Sequence, residues 1–90
     1  MLTIKYTTKF RKDYKVIKKR GYDISLFTEV VDILAKEEKL PPKYREHRLS
    51  GKYEGLMECH IQPDWLLIYR IEDDILTLTL SRTGSHSDLF

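Results

Sequence analysis

The chain has 90 residues, of which 33% are charged and 41% are hydrophobic, and its formal net charge at pH 7 is +2. This composition excludes a disordered chain, and the length suits a single domain spanning residues 1–90. No apolar run approaches the roughly 20 residues of a membrane span, so we expect no membrane partner. A lone cysteine, Cys59, and the lack of a visible signal peptide predict a cytoplasmic protein.

Positive charge is concentrated near the N-terminus. Residues 1–20 contain eight Lys or Arg and one Asp, which gives this segment a net charge of +7. Residues 21–38 contain one Lys and five acidic residues, a net charge of −4. Such segregation indicates a polyanionic partner for the basic segment. The alternative is that these lysines form only the solvated face of a helix.

The first half of the chain predicts a strand followed by two helices. Apolar residues alternate with polar ones over positions 2–6, as in a strand. The Thr7-Thr8 pair can cap a helix that runs to about residue 20, and Asp23 can cap a second one to about residue 38. Pro41-Pro42 then prevents the second helix from continuing.

The second half predicts strands only. The segments are residues 44–49, 56–61, 65–71 and 75–82. The resulting order, β-αα-ββββ, predicts the α+β class. We expect an N-terminal strand and a helical hairpin packed on one face of a mainly antiparallel four- to five-stranded sheet.

Alternation within the strands predicts which residues share a face. Cys59 should point toward the helices, and Glu58 and His60 should point away from them. In the last strand, the same rule places Arg82 on the side of Leu80. A tight turn at residues 63–64 should then connect the strand of His60 to the next one, with Asp64 close to His60.

Five polar residues at strand ends form the candidate catalytic set: His47, His60, Asp64, Arg82 and His86. Histidine titrates near neutral pH, so two imidazoles can act as base and acid in one turnover. An arginine can hold a phosphate through two hydrogen bonds and stabilise developing charge. This combination is what a metal-free ribonuclease needs.

Three further residues are candidate substrate contacts. Trp65 and Phe90 can stack on RNA bases, and Lys52 lies in a predicted loop over residues 52–55. Trp65 at the start of a strand is also typical of a core residue.

Some of these residues also have purely structural interpretations. His60 can simply hydrogen-bond Asp64 and lock the hairpin, and Glu58 can be a solvated or ion-pairing residue. A metal site is the chemical alternative. However, no two histidines have a close ligand spacing such as His-x₃-His, and Cys59 faces away from His60. We therefore predict neither a metal nor a cofactor.

Three motifs in register resemble the YafQ-type toxins of the RelE superfamily, bacterial toxin–antitoxin mRNA interferases. They are HRLSG, HIQPDWLLIYRI and RTGSHSDLF. The resemblance is strong over residues 44–90 and weaker over residues 1–40. It implies a compact RelE-like fold similar to microbial ribonucleases. By motif position, His47, His60, Asp64, Trp65, Arg82, His86 and Phe90 fall on positions that the family uses for acid–base chemistry, phosphate stabilisation and substrate contact.

The resemblance also implies a function. We expect a metal-independent endoribonuclease that cleaves mRNA, usually in the ribosomal A site, and that has a cognate antitoxin. Two other functions stay open: a non-catalytic toxin of the RelE/ParE fold that binds a protein target, and a plain RNA- or protein-binding module. A binder would need the basic first helix but not the histidines.

Overall fold

The computed structural model describes residues 1–90 as three helices and a five-stranded sheet. The elements are β1 (Thr3–Tyr6), α1 (Thr8–Lys19), α2 (Ile24–Ala35), β2 (His47–Arg48), β3 (Met57–Gln62), β4 (Trp65–Glu72), β5 (Thr77–Gly84) and α3 (His86–Leu89). The strand order is β1-β5-β4-β3-β2, and only the β1–β5 pair is parallel. The predicted α+β class with a mainly antiparallel sheet is confirmed. No helix has the length and hydrophobicity that crossing a membrane requires.

Both long helices begin at the predicted capping residues. The Thr7 hydroxyl accepts a hydrogen bond from the Phe10 backbone N–H, and the Asp23 carboxylate caps α2 in the same way. Helix α2 ends at Ala35, three residues before the predicted boundary. Glu37 has a left-handed backbone with φ of 59°, which is incompatible with a continuing helix.

The main core lies between these helices and one face of the sheet. Phe10 and Ile17 from α1 and Val30 from α2 pack against Leu67 and Leu80. Strand β4 occupies the centre of the sheet and is buried continuously from residue 65 to residue 69, as the sequence predicts. This packing makes the central strands a rigid support for side chains on the opposite face.

A β-bulge in β5 changes the orientation of Arg82. Ile68 pairs with Arg82 whereas Tyr69 pairs with Leu80, so Ser81 is an extra residue in β5. The expectation that Arg82 lies on the side of Leu80 is therefore wrong, because one extra residue reverses the alternation. Arg82 lies on the sheet face away from the main core.

The C-terminal segment is more firmly anchored than the sequence predicts. Ser85 and Asp88 form a capping box that starts α3, and Asp88 also pairs with Arg20 at 2.6 Å. Leu89 is only 1% exposed and packs in a second, smaller apolar cluster on the other face of the sheet. The Tyr53 hydroxyl donates a 2.8 Å hydrogen bond to the Leu89 carbonyl. Because only Leu89 and Phe90 are apolar among the six residues after Gly84, the sequence predicts a segment with little to bury, and the burial of Leu89 shows that this prediction is wrong.

We predict that Leu89→Ala lowers the free energy of unfolding by about 2–4 kcal/mol, because it removes a fully buried side chain and leaves a cavity. Val16→Ala is the control, since Val16 is an exposed apolar residue and its loss should change stability by less than about 0.5 kcal/mol. Urea unfolding followed by circular dichroism measures both. Equal losses in the two variants would show that α3 is not part of the folded core.

Candidate active site

Two histidines converge on one carboxylate on the sheet face opposite the main core. The sheet register pairs His47 of β2 with Glu58 of β3, and His60 lies two residues beyond Glu58 on the same face. Glu58 Oε1 is 3.2 Å from His47 Nε2 and 3.5 Å from His60 Nε2. The imidazole ring centres are 6.2 Å apart. The carboxylate therefore lies between the two rings.

Backbone carbonyls hold both rings from the opposite side. His47 Nδ1 is 3.0 Å from the Arg45 carbonyl oxygen, and His60 Nδ1 is 3.3 Å from that of Pro63. A carbonyl can only accept, so each Nδ1 carries a proton, and each Nε2 faces the Glu58 carboxylate. Arg45 has a left-handed backbone with φ of 52°, a conformation that costs a non-glycine residue about 1–3 kcal/mol.

Glu58 is the residue of this site that the sequence interpretation missed. The sequence predicts a solvated or ion-pairing side chain; the solvated interpretation is wrong, since Glu58 is only 3% exposed, whereas the pairing interpretation agrees with its contacts to His47 and His60. Alternation did place it correctly on the face of His60. The missing signal was the pairing of β2 with β3, which brings His47 beside it and which local sequence patterns do not specify.

Asp64 contacts His86 rather than His60. The Asp64 carboxylate accepts hydrogen bonds from the His86 backbone N–H at 2.9 Å and from His86 Nδ1 at 3.1 Å. The backbone hydrogen bond is the larger cause and the imidazole hydrogen bond the next, and together they hold the pKa of the Asp64 carboxyl below its usual value. The His60 and His86 ring centres are 5.9 Å apart, so the three imidazoles form a row. The alternative interpretation, in which His60 hydrogen-bonds Asp64 and locks the hairpin, does not hold, because His60 Nδ1 contacts the Pro63 carbonyl instead.

An ion pair with helix α1 holds Arg82. Its Nε and Nη2 donate to the Asp13 carboxylate at 2.7 and 3.1 Å, and this hydrogen bonding raises the pKa of Arg82. Asp13 also accepts a hydrogen bond from the Thr83 backbone N–H at 3.2 Å. Thr83 lies beyond Leu80, the last residue of β5 that pairs with β1. Ile68 of β4 pairs with Glu58 of β3 on one side and with Arg82 of β5 on the other. Arg82 therefore lies two strand spacings, or about 10 Å, from Glu58.

The three predicted substrate contacts differ in accessibility. Trp65 is 1% exposed, and its indole N–H donates to the Thr83 hydroxyl at 2.9 Å, so its ring offers no face to a base. The stacking role predicted for Trp65 thus does not fit its position. Phe90 is 61% exposed beside the Tyr53 ring, and Lys52 Nζ lies 5.1 Å above the same ring. Phe90 and Lys52 are therefore both exposed to solvent.

The cluster also contains potential metal ligands. One ligand atom from each of His47, Glu58 and His60 lies within 4.8 Å of the others. The spacing argument against a metal site does not account for this cluster, because two of the ligands come from β3 and the third from β2. Sequence spacing detects only ligands within one element.

Known proteins match the chain over nearly its whole length. The family model of YafQ, a bacterial toxin of type II toxin–antitoxin systems, matches residues 2–90. The mRNA interferase toxin YafQ of Escherichia coli K12 is 35% identical over 88 residues, which covers 97% of this chain and 94% of that protein.

Solved structures extend the comparison to the fold. A metal-bound toxin from Helicobacter pylori is 49% identical with a TM-score of 0.93, and both chains are covered completely. A chain of the E. coli DinJ–YafQ complex is 34% identical with a TM-score of 0.90, covering 100% of this chain and 99% of that one.

These matches make the class of protein a bacterial toxin of a type II toxin–antitoxin system. The chain belongs to the YafQ family, as its three motifs predict.

The contact between Asp64 and His86 can be tested by titration. We predict that the Asp64 carboxyl titrates below about pH 3.9, its usual value, and that His86→Ala moves this midpoint upward by removing the imidazole hydrogen bond. Because the folded-state pKa is depressed, the interaction stabilises the fold above about pH 4 and is lost as the pH falls through the folded-state value.

Carboxyl ¹³C NMR measures the Asp64 midpoint directly. His47→Ala is the control, since His47 contacts Glu58 and not Asp64, and this variant should leave the midpoint unchanged. A wild-type midpoint at or above 3.9 would rule out the described contact.

Proposed function

We propose that the protein is an mRNA interferase, an endoribonuclease that cleaves RNA by attack of a 2′-hydroxyl on the adjacent phosphate, without a metal ion. The supporting observation is a row of three imidazoles on one sheet face, with Arg82 on the same face. His47 and His60 turn Nε2 toward the Glu58 carboxylate, and His86 is held through Nδ1 by Asp64. The activity stated in the name of the E. coli relative agrees with this chemistry.

The reaction needs one proton acceptor and one proton donor. A neutral imidazole removes the 2′-hydroxyl proton as the O2′–P bond forms, and a protonated imidazole donates to O5′ as the P–O5′ bond breaks. The products are a 2′,3′-cyclic phosphate and a 5′-hydroxyl. Because histidine titrates near neutral pH, the row can hold one ring in each state, and His60 and His86 can take either role.

Arg82 stabilises the negative charge that develops on the phosphate oxygens. Its guanidinium is held in place by Asp13, so it needs no reorganisation when the substrate binds. Phe90 and Lys52 supply contacts to the base and the backbone of the RNA strand.

The partners follow from this activity. We place the cleavage on mRNA, in the A site of the ribosome in the cytoplasm, and we infer a cognate antitoxin that neutralises the toxin. The E. coli YafQ relative has been solved in complex with DinJ. The +7 segment at residues 1–20 suits an acidic segment of such an antitoxin.

The reaction chemistry predicts how cleavage responds to its substrate. A 2′-deoxy substitution at the cleavage site should abolish cleavage, and EDTA should leave it unchanged on an RNA that does not itself need Mg²⁺. His60→Ala and His86→Ala should each lower kcat by about 10²–10⁴-fold, because each removes a positioned acid or base. Single-turnover cleavage assays measure the rates.

RNA binding by the same variants provides the control. Affinity in a fluorescence anisotropy assay should change by less than about threefold, since an acid or base acts mainly in the transition state. Cleavage of the deoxy substrate would contradict the mechanism. Full toxicity of both alanine variants would favour a toxin that acts only by binding.

We predict that Arg82→Ala lowers kcat by about 10²–10³-fold, as the loss of one preorganised donor typically does. Arg82→Lys should recover only part of the rate, because lysine keeps the charge but lacks the planar pair of donors. Lys19→Ala is the control: it removes a positive charge from the exposed end of α1 and should leave kcat unchanged. Wild-type turnover by the Arg82 alanine variant would show that Arg82 is only structural.

A further inference from the structure

We propose that Arg20, at the C-terminal end of α1, is a positioning residue: its ion pair with Asp88 fixes α3 so that His86 stays in the row of imidazoles. The restraint on α3 stands on the contacts of these residues alone. Its effect on catalysis rests on the proposed function, because that function assigns proton transfer to His86.

The ion pair is a two-point contact between distant parts of the chain. Arg20 Nη1 and Nη2 donate to Asp88 Oδ2 and Oδ1 at 2.6 and 3.0 Å, across a sequence separation of 68 residues. Two parallel hydrogen bonds between a guanidinium and a carboxylate fix orientation as well as distance. Hydrogen bonding by Arg20 is also the main reason why the pKa of the Asp88 carboxyl lies well below its usual value, so the carboxylate stays charged at neutral pH.

Asp88 transmits this restraint to the start of α3. Its Oδ2 accepts a hydrogen bond from the Ser85 backbone N–H at 2.8 Å, and the Ser85 hydroxyl accepts one from the Asp88 N–H at 3.3 Å. Gly84 gives the carboxylate its room, because a Cβ at that position would lie 2.8 Å from Asp88 Oδ2. The position of the Asp88 carboxylate is therefore coupled to the backbone that leads directly into His86.

Packing does not hold the His86 ring. Its side chain is 57% exposed, and its partner Asp64 is itself 69% exposed. The buried Leu89 and the Tyr53 hydroxyl hold the other end of α3. The place of the His86 ring thus depends on the backbone at the start of α3, which is the part that Arg20 restrains through Asp88.

The same face of α1 also restrains Arg82. Asp13 and Arg20 are seven residues apart, close to two helical turns, so they project from one side of the helix. Asp13 binds Arg82, and Arg20 binds Asp88. One helix therefore fixes the guanidinium and the third imidazole relative to each other. Catalysis is sensitive to such placement, since a displacement of about 1 Å can cost about 10²-fold in rate.

Amide hydrogen exchange tests the restraint without reference to activity. In Arg20→Ala, the His86 backbone N–H should exchange about two- to fivefold faster, the change that loss of one exposed ion pair causes in a local opening equilibrium. The Leu67 amide in the central strand should keep its wild-type rate, because the main core is untouched. Lys36→Ala is the matched control: it breaks an exposed ion pair of 2.9 Å at the end of α2 and should leave His86 exchange unchanged. Wild-type exchange at His86 in Arg20→Ala would overturn the restraint.

Cleavage kinetics then test the positioning role. Arg20→Ala should lower kcat about tenfold through displacement of an acid–base group. The KM for RNA should change by less than about threefold, because Leu89 still holds the end of α3 that carries Phe90. In a His86→Ala background, Arg20→Ala should cause no further loss, since the group that it positions is absent. Arg20→Lys should recover part of the rate, because it keeps the charge but not the pair of donors.

Two kinetic results would overturn the positioning role. A raised KM with unchanged kcat would show that Arg20 binds RNA directly. An equal fall in kcat with and without His86 would show that Arg20 does not act through that imidazole. If the wild-type protein cleaves no RNA, the proposed function and the catalytic effect of Arg20 fail together, while the exchange rates still decide whether Arg20 restrains α3.

Discussion

The site depends on one constraint, which is that every imidazole is held through Nδ1. The partners are the Arg45 carbonyl for His47, the Pro63 carbonyl for His60 and the Asp64 carboxylate for His86. Each of these partners lies in a turn or at the end of a strand, where the backbone leaves an acceptor free. The constraint leaves Nε2 as the reactive atom of each ring, and it is the atom that the proposed cleavage chemistry uses.

One face of the sheet contributes mainly to stability, and the other carries the candidate site. The face toward α1 and α2 holds the main core, which keeps β3 and β4 rigid. The other face carries the row of imidazoles and the buried Glu58 carboxylate. A buried carboxylate is costly unless it is paired, and the contacts of Glu58 with both imidazoles offset that cost. Helix α3 and its Leu89 anchor keep His86 beside Asp64.

Local sequence patterns predict the structural features that residues close in sequence determine, such as strand faces and turns. Strand alternation places Glu58 and His60 on the open face, and the turn at residues 63–64 follows from proline and aspartate chemistry. Non-local features are not predictable in this way. The bulge that redirects Arg82, and the reach of Asp13 across β5, are set by tertiary packing. Composition and motif order were enough to identify the family, but they left open whether Trp65 is a core residue or a stacking surface, and the structure shows a core residue.

Histidine ¹⁵N NMR tests the central constraint most directly. Two-bond ¹H–¹⁵N correlation spectra report which ring nitrogen carries the proton, and single His→Gln variants assign the signals. At about pH 9, where histidine is neutral, the account predicts that His47, His60 and His86 all carry their proton on Nδ1. If His47 or His60 carries it on Nε2, the ring does not offer the acceptor on which the proposed cleavage chemistry depends.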